Sequence, residues 1–574
     1  MSRSGITEVT EGKRTPMSQM EIKRRQIICY TYIIGVIGLI SMGRLLGDNG
    51  LAYMAVAMEA VSIFSLLTLC GVSDVIARLQ KNRRNKGQYK GVARMRRQLL
   101  IIQGVVGMFL TVLCLSLSNL VAEKLFRVPY SASAMKILAP VIVLQALEVV
   151  FLGYFQGSGS YMPSLVGTVL RQGFFLVFGS LFGKLLAGYG DKVSALLKNN
   201  CYGGMYGAMG VALGMLVAEI LVLLFLFIIY MVSDRKADEQ RSQEGLRRTE
   251  SMGDILRVFY GSLWQGMCTV LPVLLAVAAG AALYLNRVTK LYEDVSAIVP
   301  AEESGEEMIP LAVQSANEAI AGYGSFFGKC FLLCLIFVLI LAARCFPVYG
   351  RLCAAVRRED TRHSRDVAAC GLHYVWVAGL YITVTMAVMA PQMAAGFFPD
   401  RDAGVSAMLR SGSVLVLLAA LAVMLSVVLL AYGERFILMG MLGIWLILEL
   451  ILQQAFVKIS GYSVTGILSA AMLATGLLVA GLAAYNLWRE RLNTEYIRIL
   501  GIPLIGAGIM GLVMMLVTKL LGAHMGHVVS LVVAALLGAI VYGAILMVTR
   551  NIREYEISIL YGKQVRKLLE RIIS

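Results

Sequence analysis

The sequence predicts an all-α polytopic membrane protein, and three observations lead to this fold class. Of its 574 residues, 58% are hydrophobic and only 15% are charged, whereas a soluble protein carries about a quarter charged residues. Apolar runs of about 20 residues, each long enough to cross a hydrocarbon core of roughly 30 Å, recur along the whole chain. Ten-residue segments of alternating hydrophobicity are absent, so helices must satisfy the backbone in lipid.

Fourteen apolar spans are predicted, seven on each side of a long polar connection at 285–324. The first seven are 27–43, 51–71, 98–118, 136–156, 163–186, 204–231 and 259–284. The second seven are 325–344, 367–390, 409–431, 436–457, 463–486, 501–520 and 528–549. We therefore expect an N-lobe over 27–290, an extracytoplasmic linker over 291–324 and a C-lobe over 325–549, since transporters commonly use two such halves.

The distribution of basic residues predicts that both termini are cytoplasmic. With that orientation the inside segments hold 37 of the 52 Lys and Arg residues, as the positive-inside rule requires. The net charge of +17 then reflects topology and contact with anionic lipid, and it does not indicate nucleic acid. The tail 1–26 is polar and has no signal-peptide pattern. The basic tail 550–574 is expected to lie along the cytoplasmic interface or against the inside loops.

Motifs for covalent catalysis or ATP hydrolysis are absent from the sequence. There is no Walker loop, GxSxG elbow or HExxH, and the ten cysteines form no CxxC. His524 and His527 could share a helix face, but no carboxylate or cysteine lies nearby. We therefore predict no enzymatic activity, no metal and no cofactor. The small residues of GMYGAMGVALG at 204–214 indicate close helix packing.

Ionisable residues inside the spans are the first functional candidates, because each costs roughly 2.5–3.5 kcal/mol to insert at mid-helix. They are Glu59, Glu148, Arg171, Glu219 and Glu449, and four of these five lie in the first half. Glu59, Glu219 and Glu449 are candidates for binding a proton or sodium ion. They could equally accept hydrogen bonds from neighbouring hydroxyls and amides.

Glu148 and Arg171 lie about eleven residues on either side of the midpoint of the hairpin between spans four and five. They are therefore at similar depth, and two arrangements are open: an intramembrane ion pair, or an Arg171 that snorkels alone to headgroups about 12 Å away. Gln156 and Gln172 in the same hairpin are further candidates. Gln265, in span seven near Pro272, is a candidate polar contact beside a kink.

Four stretches carry a resemblance to a known family. They read RLLGDNGLAYMAV at 44–56, GVSDVIARLQKNRRNKGQYKGVARMRRQLL at 71–100, KILAPVIVLQALEVVFLGYFQGSGSYMPS at 136–164 and YGSFFGKCF at 323–331. These stretches resemble bacterial polysaccharide flippases of the multidrug/oligosaccharidyl-lipid/polysaccharide exporter superfamily, particularly the stage V sporulation protein B-like branch. In that branch an Arg usually precedes the GyfQG motif and a Glu occurs in the following span, where this chain has Leu152 and Arg171.

The resemblance implies two seven-helix lobes around a central cavity, in the cell membrane of a bacterium. It also implies that the protein flips a prenyl-diphosphate-linked saccharide from the inner to the outer leaflet by alternating access, alongside membrane lipids and polysaccharide synthesis enzymes. In this reading Arg171 holds the diphosphate, because guanidinium donates two parallel bonds to phosphate.

Other functions remain open at the level of sequence. A proton- or sodium-coupled multidrug antiporter of the same superfamily would use Glu59, Glu148 or Glu219 to exchange an ion for a cationic drug. A membrane-bound polymerase or acyltransferase would need a catalytic loop, and the outside loops offer only AEESGEE at 301–307. A scaffold that binds synthesis enzymes through 232–258 is the last alternative.

Overall fold

The computed structural model describes residues 19–199, 201–242, 252–298, 311–398, 403–492, 500–521 and 526–551. Most of the predicted tail 1–26, the middle of the predicted linker and the basic tail from 552 onward lie outside these residues. The described residues are helical almost throughout and contain no strand. The helices are α1 (Gln19–Leu69), α2 (Val72–Asn85), α3 (Tyr89–Leu120), α4 (Ser131–Gly157), α5 (Met162–Phe174), α6 (Ser180–Leu197), α7 (Cys201–Ser242), α8 (Met252–Ile298), α9 (Leu311–Ser325), α10 (Leu332–Arg357), α11 (Thr361–Phe397), α12 (Ala403–Ala431), α13 (Arg435–Ile459), α14 (Thr465–Trp488), α15 (Ile502–Leu521) and α16 (His527–Val548).

Thirteen stretches of the described chain are helical, long and apolar enough to cross a membrane. The first of them, Tyr30–Asn85, has 56 residues and would measure roughly 84 Å as one helix, far more than a bilayer core. Its backbone leaves helical geometry at Gly47 (φ 62°, ψ 176°), between the first two predicted spans. Glycine adopts that left-handed φ without steric cost. Each of the other twelve stretches overlaps one predicted span, so the predicted fold class is confirmed.

Several helices extend well beyond the apolar segments from which they were predicted. The predicted polar connection 285–324 is helical at both ends, because α8 runs to Ile298 and α9 begins at Leu311. Hydropathy marks where the bilayer ends, whereas backbone hydrogen bonds hold a helix together in water as well as in lipid. The span boundaries read from hydropathy were therefore too short here.

Within the described residues, π-helical turns lie at Val121–Leu125, where α3 ends, and at Phe175–Gly179 and Phe326–Phe331, each between two α-helices. The second joins α5 to α6 and the third joins α9 to α10, so that each pair forms one continuous span. Such single π turns hold one residue more than the α-helical path and occur frequently at functional sites.

Glycines bring α6 and α7 into close contact, as the run at 204–214 predicts. A methyl group on Gly210 would lie 2.9 Å from the Cα of Gly183, and one on Gly190 would lie 2.8 Å from the Cβ of Tyr206. Both distances are shorter than van der Waals contact, so only glycine fits at these crossings. The prediction of close packing by this run is confirmed.

The two halves of the chain meet mainly through α1 and α8. Among the described residues, α3–α7 make no extensive contact with α9–α16, whereas α1 packs along α9 and α8 packs along α9 and α13. The first part of α8 joins the first half, where Phe259 and Leu263 pack with Val72 and Ile76 of α2. Its later part joins the second half, where Gln453 of α13 donates a 2.7 Å hydrogen bond to the carbonyl of Gly280. The lobe boundaries 27–290 and 325–549 stay a prediction.

Candidate functional site

The hairpin of α4 and α5 positions two of the predicted site residues. Gly159 has a φ of 81° in the turn, a conformation that glycine adopts readily. Pro163 lies in the first turn of α5, where its missing N–H costs no helical hydrogen bond. The two helices leave this turn side by side, so that Glu148 on α4 and Arg171 on α5 reach the same depth.

Arg171 binds two glutamates at once in the structure. Its Nη2 donates to Oε1 of Glu148, and its Nε donates to Oε2 of Glu219 on α7 at 3.1 Å. Gln145, one turn before Glu148 on α4, donates to the other oxygen of Glu219 at 2.8 Å. The predicted contact between Glu148 and Arg171 is present, and Arg171 does not snorkel alone. We call these four residues the charge cluster.

The charge cluster is buried on its acidic side and open on its basic side. The side chains of Glu148 and Glu219 are 4% and 6% exposed, whereas that of Arg171 is 29% exposed. Removing a charged group from water is costly unless an opposite charge compensates it. With both carboxylates ionised the cluster has one negative charge more than positive, so it is neutral only when it binds one proton or another cation.

Of the other predicted candidates whose side chains the structure describes, none joins the charge cluster. Gln156 is half-buried near the end of α4, about 12 Å along the helix from Glu148. Gln172 follows Arg171 and its amide oxygen lies beside Gly35 of α1. Glu449 lies on α13 with Oε2 buried and without a hydrogen-bond partner. The side chain of Gln265 lies outside the described part of the structure.

Glu59 takes part in a different contact, between α1 and α9. Its carboxylate accepts a hydrogen bond from the hydroxyl of Tyr323, and its other oxygen is buried without a hydrogen-bond partner. Nearby on the chain, Lys329 in the π turn forms an ion pair with Asp48 at 2.6 Å, although the lysine side chain is only 1% exposed. Arg44 donates two 2.7 Å hydrogen bonds to carbonyl oxygens at the end of α11. We call these contacts of α1 with α9, with the π turn that follows α9 and with the end of α11 the α1–α9 junction.

Sequence reasoning did not single out four of these residues. Gln145 and Tyr323 are polar but uncharged, so a search for ionisable residues in spans passes over them. Lys329 lies inside the predicted span 325–344 and could have been found by the same rule that found Arg171. Asp48 lies between two spans, where a carboxylate needs no special explanation.

The fold and the charge cluster define a class: polytopic helical membrane proteins with ionisable side chains held inside the spans, as in secondary transporters. The model of the family described as "Polysaccharide biosynthesis protein" matches residues 27–253, which contain the whole charge cluster. Stage V sporulation protein B of Bacillus subtilis (strain 168) is 22% identical over 200 residues, which are 35% of this chain. The match spans 36% of that relative's length.

Two solved structures share the fold over most of the chain. Lipid II flippase MurJ in an inward closed conformation has a TM-score of 0.61 at 11% identity, covering 92% of this chain and 99% of that chain. An inward-facing multidrug resistance MATE family transporter of the MOP superfamily has a TM-score of 0.57 at 16% identity, covering 82% and 97%. The resemblance predicted from the sequence is confirmed, and these relatives are named as a flippase and a transporter, not as enzymes.

Proposed function

We propose that the protein is a transporter that flips a prenyl-diphosphate-linked saccharide from the inner to the outer leaflet by alternating access. The description of the matching family and the name of the lipid II flippase that shares the fold support this substrate class. The bias of basic residues supports cytoplasmic termini in a bacterial cell membrane. Polysaccharide synthesis enzymes are proposed as partners because they would supply the substrate.

The single observation that carries this proposal is the partly exposed guanidinium of Arg171 between membrane spans. Its contacts with Glu148 and Glu219 use Nε and Nη2, which leaves Nη1 for an oxygen of the substrate. A guanidinium is always charged and its N–H donors match phosphate oxygens. Low dielectric around the spans strengthens such a contact relative to water.

The acidic excess of the charge cluster suggests how binding is coupled to protons. A diphosphate that approaches Arg171 meets two carboxylates, and repulsion is relieved when one of them takes up a proton. Glu148 or Glu219 would then release that proton after the substrate leaves. Glu59 and Glu449 are further candidates for ion coupling, and Gln156 and Gln172 for contacts along the substrate path.

Flipping of a fluorescent prenyl-diphosphate saccharide in vesicles that contain the purified protein tests the proposal. We expect Arg171→Gln to lower the rate at least about tenfold, since a charge-assisted pair is lost, and Arg171→Lys to retain part of the rate. Arg358→Gln removes an exposed arginine at the end of α10 and is the matched control. Flipping by Arg171→Gln at the wild-type rate would refute the role of this residue.

A cation antiporter is the second candidate, and the excess of carboxylates over guanidinium in the charge cluster favours it. A cationic drug would neutralise Glu148 and Glu219 directly, in exchange for a proton. Vesicles with a proton gradient and ethidium distinguish the two functions. Ethidium efflux that is lost in Glu219→Gln, without saccharide flipping by the wild type, would establish the antiporter and exclude the flippase.

A further inference from the structure

A cavity of about 220 Å³ lies between α8 and α13, on helices that do not contribute to the charge cluster. Its polar wall is formed by Asn286, Arg287, Lys290 and Gln454, and its apolar wall includes Leu283 and Val457. None of its lining residues is acidic. The cavity therefore combines two cations and amide groups with an apolar floor.

The two cations lie at the depth of lipid headgroups. The apolar part of α8 covers Gly266–Leu291, so Arg287 and Lys290 are within about 6 Å of its end. Arg287 donates a 3.3 Å hydrogen bond to the carbonyl of Gln454, which holds its side chain across the groove between the helices. Lys290 is exposed, and the residues that line the cavity include no carboxylate that would compete with a ligand for its charge.

A strip of isoleucines on α13 leads from the cavity into the hydrocarbon region. Ile444, Ile447 and Ile451 are 69%, 61% and 62% exposed, and Gln454 follows three residues later. Positions three or four apart lie on one face of a helix. The polar cavity thus opens at the end of a lipid-facing apolar strip, which is the layout of a phospholipid: a charged head above hydrocarbon chains.

We propose that this cavity binds the phosphate group of a membrane lipid, whose chains lie along the isoleucine face of α13. Arg287 and Lys290 neutralise the phosphate, and Asn286 and the side chain of Gln454 provide hydrogen bonds to the rest of the headgroup. Basic pockets between membrane helices hold anionic headgroups by the same forces. This site goes beyond the proposed function, because lipid binding here requires neither saccharide nor transport.

Native mass spectrometry of the full-length protein with phosphatidylglycerol tests the site. Each cation near an anionic membrane surface strengthens association about fivefold, so Arg287→Gln/Lys290→Gln is expected to raise the Kd of the first bound phosphatidylglycerol about 25-fold. Arg287→Lys/Lys290→Arg keeps both charges and is expected to retain binding, which guards against loss of fold. Lys184→Gln/Lys192→Gln removes two exposed cations from α6 and is the matched control.

The outcomes separate a lipid site from a site for free anions. An unchanged Kd in Arg287→Gln/Lys290→Gln, or an equal loss in the α6 control, would overturn the proposal. Displacement of phosphatidylglycerol by millimolar inorganic phosphate would also overturn it, because the isoleucine face would then contribute nothing. Loss of lipid binding with saccharide flipping unchanged would support the site and leave the proposed function intact.

Discussion

Arg171 is surrounded by more acidic charge than it can neutralise, and this imbalance governs what substitutions at the charge cluster do. The ion pair between Arg171 and Glu148 was predictable because both residues lie on one hairpin, at equal distances from its turn. The second partner, Glu219, is 48 residues from Arg171 along the chain, and its contact depends on how α7 packs against α5. No local pattern contains that information.

Removing the arginine alone is expected to destabilise the protein more than removing all three charges. Arg171→Gln leaves two buried carboxylates facing each other, and breaking a buried pair in this way costs about 3–5 kcal/mol. Arg171→Gln/Glu148→Gln/Glu219→Gln leaves only amides, which can hydrogen-bond to one another. Thermal unfolding in detergent compares the two variants. A triple variant less stable than the single one would contradict this account of the cluster.

A second ionic contact, outside the spans, predicts a dependence of stability on pH. Glu434, between α12 and α13, accepts bonds of 2.6 and 2.8 Å from Arg491. These bonds hold the pKa of Glu434 below its ordinary value of 4.5. A lowered pKa in the folded state means that the contact stabilises fully above pH 4.5, and that this stabilisation is lost as the pH falls through the lowered value.

The comparison of wild type with Glu434→Gln measures this effect directly. At neutral pH we expect a lower Tm for the variant, and we expect the two Tm values to converge in acid. Glu490→Gln, which removes an exposed partner of Arg365, is the control and should change little because exposed pairs contribute about 0–1 kcal/mol. A difference between wild type and Glu434→Gln that does not shrink as the pH falls from 7 to 3 would rule out ionisation as its cause.

At the scale of helices, the span pattern was readable because hydropathy reports directly on burial in lipid. The helix ends could not be read from hydropathy, because a helix continues in water beyond the apolar segment. The π turns could not be read either, because a π turn changes the hydrogen bonding of the backbone without changing composition. The close contact between α9 and α1 could not be predicted from hydropathy either. Gly324 on α9 packs against the backbone of α1, and a methyl group there would lie 2.6 Å from the amide nitrogen of Ala52.

Adding that methyl group is expected to separate the two helices. Gly324→Ala should lower the free energy of unfolding by about 1–3 kcal/mol, as overpacking does in tight interiors. Gly350→Ala on α10 is the matched control, because nothing lies within 4 Å of its added carbon. There the change should be neutral or stabilise by about 0.5–1 kcal/mol, since alanine favours helix. Equal effects of the two substitutions on thermal unfolding would refute the close approach.

For the whole molecule, the decisive contacts are those between the halves, and the sequence did not reveal them. They include the α1–α9 junction, where Lys329 is buried against Asp48, and the packing of α8 along α9 and α13. Ion pairs that join distant parts of the chain cannot be predicted from hydropathy. The hydropathy pattern assigns each residue to a span, but it does not show which residue of another span it contacts. If the halves rock during transport, this junction must open and close.

Weakening the junction is therefore expected to favour its open state. Asp48→Asn removes the carboxylate that pairs with an almost completely buried lysine, and removing one partner of a buried ion pair is costly. A cysteine in place of Ala55, which is 1% exposed on α1, should then react faster with a membrane-impermeant maleimide in a background free of native cysteines. Labelling at the wild-type rate would mean that this ion pair does not restrain the junction.

The π turn at Phe175–Gly179 determines how the span formed by α5 and α6 packs against α7. One residue turns an α-helix by about 100°, so an extra residue rotates everything beyond it relative to everything before it. On one side of the turn Arg171 faces Glu148 and Glu219, and on the other Gly183 faces Val211 of α7. Arg171 and Gly183 are about twelve residues apart, so an uninterrupted α-helix would place them about 120° apart around its axis. The extra residue of the π turn lets both of them reach α7, Arg171 through Glu219 and Gly183 through Val211.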